Sequence, residues 1–228
     1  MYPLKNGLKS FVRSILENEI KSKKSVKQSK DISSLYKDAT NLILSRDDLH
    51  KLECKAVRKY QLNAVKNMLV FSFYSGLKLE EILKLKKSNI KVLPNGSNAL
   101  EIQRSDGRSN SLIPINERMS SIIHFYNGYH KNARKGKLFP TYSNDSINES
   151  LLYLSAFCRI NKPLSFLMAR RSYLVYEFFK RTSLETLQKN LGHKEIRSTR
   201  RYIKQLMREI YGATKFPSFH LKSHTNGK

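Results

Sequence analysis

Three short apolar segments in the middle of the chain do most to limit the folds open to it. Residues 90–93, 99–102 and 112–115 are each too short for a stable helix, and turn residues separate them: Pro94-Asn95-Gly96 after the first, Asp106-Gly107 after the second. Gly and Asn accept positive φ at little cost, so such breaks fold apolar runs back on one another. The spacing predicts a three-stranded antiparallel sheet. On either side the apolar period lengthens to that of a helix. Leu62, Val65, Met68, Leu69 and Phe73 trace a buried helical stripe, and Gly76 is placed to stop it. Ser45 followed by Asp47 and Asp48 predicts a helix start, with a side-chain cap and acids in the first turn. A short helix through Leu79, Ile82, Leu83 and Leu85 follows. Another after Glu117 puts Ile122, Ile123 and Tyr126 on one face. Residues 131–146, rich in Lys, Gly, Asn and Ser, read as a loop, and helices are expected again at 146–159, 165–180, 183–190 and 198–211. The fold class expected is α+β, mostly helical, with one small three-stranded antiparallel sheet.

Charge narrows the function. The 228 residues carry 43 Lys and Arg against 18 Asp and Glu, a formal charge of +25. Such an excess predicts a polyanionic partner, and nucleic acid is the commonest one for a chain of this kind; the family resemblance given below narrows it to double-stranded DNA. The first forty residues form a basic arm. Leu4, Leu8, Phe11, Val12, Ile15 and Leu16 recur at helical spacing, and residues 21–30 then carry five Lys and no acid. Residues 41–212 hold the main domain, and 213–228 form a polar tail. Apolar runs such as Met68-Leu69-Val70-Phe71 fall far below the ~20 residues of a membrane span, so no membrane partner is expected. No signal-peptide core follows Met1, and the protein is expected where its DNA lies: cytoplasm with the nucleoid, or an organelle's stroma or matrix, and not secreted. Cys54 and Cys158 stand alone, without metal-ligand spacing, and no phosphate-binding or dinucleotide-binding glycine motif occurs. Neither a metal, a nucleotide nor another cofactor is expected.

Residues 164–204 hold the densest candidate chemistry. Arg170 sits on a predicted helix, Leu191-Gly192-His193 ends the next, and Tyr202 follows nine residues on. Lys194, Arg197, Arg200, Arg201, Lys204 and Arg208 surround that Tyr. Cations around a phenol favour its nucleophilic anionic form. Arg170 offers a planar fork suited to a phosphodiester, and His193 can donate to the same phosphate or move a proton. Arg171, Lys194, Arg197, Arg200 and Arg201 read as DNA contacts, as do Arg104 and Arg108 on either side of the Asp106-Gly107 turn. Singly these signals are weak: Tyr is 12 of 228 residues, and Leu-Gly-His is a common helix stop.

In combination they resemble a known family. LGHKEIRSTRRY (191–202), SFLMARRSYLVYEF (165–178), YSGLKLEEILKLKKSNI (74–90), LSRDDLHKL (44–52) and LEIQRSDGRSNSLIPI (100–115) resemble, in order and spacing, the catalytic-domain motifs of tyrosine recombinases, which include phage integrases. The resemblance spans residues 44–212. It implies a DNA strand transferase with Tyr202 as nucleophile and Arg170, His193 and Lys78 as phosphate ligands. A 3′-phosphotyrosyl intermediate would store the bond energy, so that neither ATP nor a metal ion is required. The setting implied is recombination or integration of a mobile element, by a homo-oligomer on DNA or with a related recombinase partner. Three positions depart from the family pattern. Lys78 stands where the family has its first Arg, Leu167 where it has a His, and residues 100–115 contain no Lys to serve as the hairpin general acid. The arm at 1–40 is far shorter than the family's usual DNA-clamping domain and reads as its remnant. The implied active site is therefore degenerate, and the alternative is a pseudo-recombinase that binds DNA on the same fold without cutting it.

Overall fold

The first described helix begins after a serine, as its sequence predicts. The computed structural model describes residues 42–103, 110–127 and 136–211. The basic arm at 1–40, the turn bearing Arg104 and Arg108, and the tail at 213–228 lie outside them. In α1 (Arg46–Cys54) the Ser45 hydroxyl accepts from the Asp48 N–H at 3.0 Å, and the Asp48 carboxylate accepts from the Ser45 N–H at 2.9 Å. This reciprocal box satisfies two of the amide groups that every helix start leaves unpaired. Then come α2 (Tyr60–Ser75), α3 (Leu79–Lys84), a 3-10 turn (Lys87–Asn89), β1 (Ile90–Val92), β2 (Asn98–Gln103) and β3 (Asn110–Pro114). The rest is helical: α4 (Glu117–Asn127), α5 (Asn144–Phe157), α6 (Phe166–Phe179), α7 (Leu184–Leu191) and α8 (Ile196–Tyr211).

The sheet has the order β1-β2-β3, antiparallel throughout, with Leu100 opposite both Ile90 and Ile113. In β3, Ser111 and Ile113 are buried while Leu112 points to solvent, the alternation of a strand covered on one face; Leu100 and Ile102 of β2 are buried beside them, and Val92, on the same face as Leu100 by register, is exposed at the end of β1. α2 is the centre of the molecule and packs on α1, α3, α4, α5 and α6. Its sequence shows one apolar stripe, but the structure buries it nearly all round, including Lys66, Ser72 and Ser75. The polar members are accommodated by hydrogen bonds to main-chain oxygens: Lys66 to Lys55, Ser72 to Leu77 and Ser75 to Phe71.

Several boundaries differ from the sequence reading: α8 begins at Ile196 rather than 198, and α5 ends at Phe157 rather than 159. α5 begins at Asn144, capped by Ser143, so the Ser146 expected to open it lies inside the helix, donating its N–H to the Ser143 hydroxyl. The expected loop is also not solvated throughout. Leu138 and Phe139 are buried at 1% exposure, and the Leu138 N–H donates to the Leu85 carbonyl at 2.8 Å. Two apolar side chains in a polar stretch anchor it to the core.

Among the described residues the buried side chains form two clusters. The larger gathers α1 to α5 with the sheet; the smaller joins α7 and α8 to the far side of α6. α6 therefore serves both: Phe166, Met168 and Ala169 enter the first, Tyr173, Leu174 and Val175 the second. Lys162 ties the entry of the domain to the segment before α6, donating to Asp48 Oδ2 at 2.5 Å and to the Ile43 carbonyl at 3.2 Å. Burial alone would raise the Asp48 pKa, but the hydrogen bonds from Lys162 and Ser45 outweigh it and hold the carboxyl below its ordinary value. Among the described residues no helix is long and apolar enough to cross a membrane.

Candidate active site

Arg170 sits between the two clusters, only 4% exposed. A charge so deeply placed must be hydrogen-bonded, and main-chain oxygens meet the need. One terminal nitrogen donates to the Gly76 carbonyl at 2.5 Å and the other to the Leu191 carbonyl at 2.7 Å, which fixes the plane of the guanidinium. Glu81 Oε2 lies 3.9 Å from the first nitrogen and accepts the Lys78 N–H at 2.8 Å, so one carboxylate faces Arg170 and caps the start of α3.

The approach of Gly76 to α6 requires a glycine. Its φ is 70°, and a Cβ there would stand 2.4 Å from Cδ1 of Tyr173, one turn beyond Arg170. The Tyr173 ring is held in turn by Asn190, whose side-chain amide donates to its hydroxyl at 2.7 Å.

The opposite side of the site is built by the end of α7. Gly192, at φ 66°, closes the helix with a Schellman pair: its N–H donates to the Lys189 carbonyl and that of His193 to the Gln188 carbonyl, both at 3.1 Å. The Ser111 hydroxyl of β3 donates to the Lys189 carbonyl at 2.6 Å and fastens α7 to the sheet. The chain then turns so that His193 Nδ1 lies 2.9 Å from the hydroxyl oxygen of the fully buried Thr199 on α8. Tyr202 follows one turn later, its ring edge-on to the imidazole at 5.9 Å between centroids. α8 is strongly two-sided: Thr199, Ile203, Leu206, Met207 and Ile210 are buried, while Arg197, Arg200, Arg201, Lys204 and Arg208 are exposed.

These elements enclose an open cleft of about 330 Å³ lined by Lys78, Phe166, Leu167, Arg170, His193 and Tyr202. The four residues expected to be catalytic thus meet, from the residue that precedes α3, from α6, from the α7–α8 turn and from α8. Leu167, 53% exposed, presents a side chain that cannot donate a hydrogen bond. Arg171 does not line the cleft; its guanidinium lies 3.9 Å from Glu209 on α8. Lys194, Arg197, Arg200 and Arg201 stay exposed outside the cleft, and Arg104 and Arg108 fall outside the described residues. Thr199 and Glu81 are additions that the sequence reading did not single out. Glu81 has a readable signal, since it lies three residues after Lys78 at capping-box spacing; Thr199 lies one helical turn before Tyr202. Among the described residues no group of His, Cys, Asp or Glu converges in a way that could hold a metal ion. A fixed guanidinium, an ammonium, an imidazole and a phenol around one cleft suit a phosphodiester: the cations face its anionic oxygens and the phenol can attack phosphorus.

No family model matches the sequence, and no curated protein matches it. Solved structures do match in fold. The XerH site-specific recombinase bound to difH in a pre-cleavage complex superposes with a TM-score of 0.60 at 19% identity, over 78% of this chain and 51% of that one. XerA recombinase gives 0.55 at 18% identity, over 75% and 64%. The catalytic domain of bacteriophage HP1 integrase gives 0.50 at 19% identity, over 78% of this chain and 95% of the domain. The chain thus spans about half the length of the XerH structure and nearly all of the isolated integrase domain. The helical layers, the one three-stranded sheet and these superpositions establish that the chain has the catalytic-domain fold of the tyrosine recombinases.

Proposed function

We propose that this protein cuts and rejoins duplex DNA in site-specific recombination or integration, with Tyr202 forming a 3′-phosphotyrosyl intermediate and freeing a 5′-hydroxyl. The observation that carries the reading is the meeting of Lys78, Arg170, His193 and Tyr202 in one cleft. Arg170, immobilised by two carbonyls, presents charge that needs no rearrangement as the pentacoordinate phosphate forms. The exposed basic face of α8 and the +25 charge supply sequence-independent attraction to the DNA backbone. Exchange between two duplexes needs more than one such cleft, so the reading includes a second copy of the chain, or a related recombinase, assembled on the DNA.

One observation favours a non-cutting DNA-binding protein instead: Leu167 places an isobutyl group where the cleft lacks a donor. Covalent trapping separates the two. The probe is a pool of short duplexes, randomised on both sides of a single 5′-bridging phosphorothiolate. Its sulfur leaving group departs without a general acid, so the assay asks only whether the phenol attacks. Wild-type protein is expected to give a denaturant-resistant protein–DNA adduct, and Tyr202→Phe none, while both bind the duplexes alike. Duplex binding without an adduct would assign the protein to the non-cutting class; an adduct undiminished in Tyr202→Phe would remove Tyr202 as nucleophile.

A further inference from the structure

We infer that Lys78 is the proton donor to the leaving 5′-oxygen, an inference that rests on the strand-cleavage reading. Among the described residues, three that line the cleft carry side-chain N–H groups: Lys78, Arg170 and His193. Arg170 can stabilise charge but cannot give up a proton, because a guanidinium stays protonated under working conditions. Its two hydrogen bonds also define the layout of the cleft. One nitrogen reaches the Gly76 carbonyl, two residues before Lys78; the other reaches the Leu191 carbonyl, two residues before His193. Arg170 therefore lies between two walls, one made by residues 76–81 and the other by 191–202.

His193 and Tyr202 share the second wall, ring against ring. Displacement at phosphorus places the entering and leaving oxygens on opposite sides, roughly in line. With Tyr202 entering from its own wall, the leaving oxygen faces the wall that carries Lys78. His193 is on the wrong side for it, beside the nucleophile, and its Nδ1 is engaged with Thr199. Lys78 is exposed, sits just ahead of α3, and its ammonium makes no hydrogen bond or ion pair to any described residue. Its backbone is pinned by the N–H bond to Glu81, while its four-carbon stem is left to reach the phosphate.

The step balances. Tyr202 Oη bonds to phosphorus, the bond from phosphorus to O5′ breaks with its electron pair passing to oxygen, and Lys78 Nζ gives that oxygen a proton. The phenolic proton goes to His193 or to solvent. In the reverse reaction the neutral Lys78 amine takes a proton from the attacking 5′-hydroxyl. An ammonium thus combines two duties, charge and proton transfer, that a guanidinium at the same place could not.

The test compares wild type, Lys78→Arg and Lys78→Ala on the randomised duplex pool, made with either an ordinary oxygen or a bridging sulfur at the marked linkage. Lys78→Arg keeps the positive charge and loses the transferable proton. It is expected to lose roughly 10²-fold in adduct formation on the oxygen-linked pool and to recover close to the wild-type rate on the sulfur-linked pool. Lys78→Ala should show the same recovery on sulfur, less whatever its charge contributed. Lys78→Arg matching or exceeding wild type on oxygen would overturn the assignment. Equal losses by both variants on the two linkages would overturn it too, because Lys78 would then be only a phosphate ligand. A wild-type protein that gives no adduct on sulfur ends the strand-cleavage reading and this inference with it; an adduct on sulfur without linkage-dependent loss in the variants ends the inference alone.

Discussion

Replacing Gly76 by alanine tests whether the cleft depends on the close approach of α2 to α6. Two costs arise. A non-glycine residue held at φ 70° carries about 1–2 kcal/mol of left-handed strain. The new Cβ would stand 2.4, 2.7 and 3.1 Å from Cδ1, Cε1 and Cγ of Tyr173. That ring cannot swing clear cheaply, being 5% exposed and tied by its hydroxyl to Asn190. Overpacking of this kind costs about 1–3 kcal/mol, so the sum is about 2–5 kcal/mol. A domain with about 5–15 kcal/mol of stability stays folded in most of that range, its melting midpoint lowered by about 5–20 °C. The same displacement moves the Gly76 carbonyl away from Arg170, so covalent trapping should fall further than the loss of folded protein explains. The assay is urea unfolding followed by circular dichroism, with trapping measured where the variant is still fully folded. Gly96→Ala is the internal control, since Gly96 has φ 78° but its Cβ would meet nothing within 4 Å. Equal destabilisation of the two variants would refute the argument, because only strain would then be at work and the contact with Tyr173 would count for nothing.

Two further outcomes are expected. Thr199→Val, which removes the hydroxyl beside His193 Nδ1 at constant volume, should lower adduct yield by roughly tenfold, whereas Thr199→Ser should restore it; indistinguishable yields at equal folded fraction would exclude a positioning role for Thr199. Asp48 titrates below its ordinary value in the folded state, so the stability it contributes is present above the unfolded pKa of 3.8 and is lost as the pH falls through the lower, folded value. Asp48→Asn should destabilise the protein by about 3 kcal/mol at neutral pH, because it leaves the largely buried Lys162 ammonium unpaired. The gap to wild type should narrow as wild type is acidified below that window, and a gap that does not change with pH would refute the pairing.

What the sequence made legible was local. The cap at Ser45, the helix stops at Gly76 and Gly192, and the turn chemistry around Pro94-Asn95-Gly96 each act within a few residues, and the structure repeats them. The burial of α2 was only half legible, because Lys66, Ser72 and Ser75 look solvent-facing until main-chain partners from other turns are known. Arg170 and Tyr202 stood out by motif, yet the device that holds Arg170 was invisible. Its acceptors are main-chain oxygens 94 and 21 residues away, and a carbonyl has no sequence signature. The Asp48–Lys162 pair joins residues 114 apart and was hidden for a similar reason. Leu138 and Phe139 were lost in a polar stretch, where two apolar residues make no period to detect.

That main-chain cradle bears on how far such a protein can drift. The central cation of the cleft is gripped by atoms that every residue type possesses, so substitutions at most neighbouring positions leave the grip intact. For the grip on Arg170 the constraint then falls on backbone shape: a left-handed residue at 76, a helix end at 191, and an arginine at the right height on α6. A polypeptide built this way can keep its geometry while sharing only 18–20% of its residues with the recombinases it superposes on.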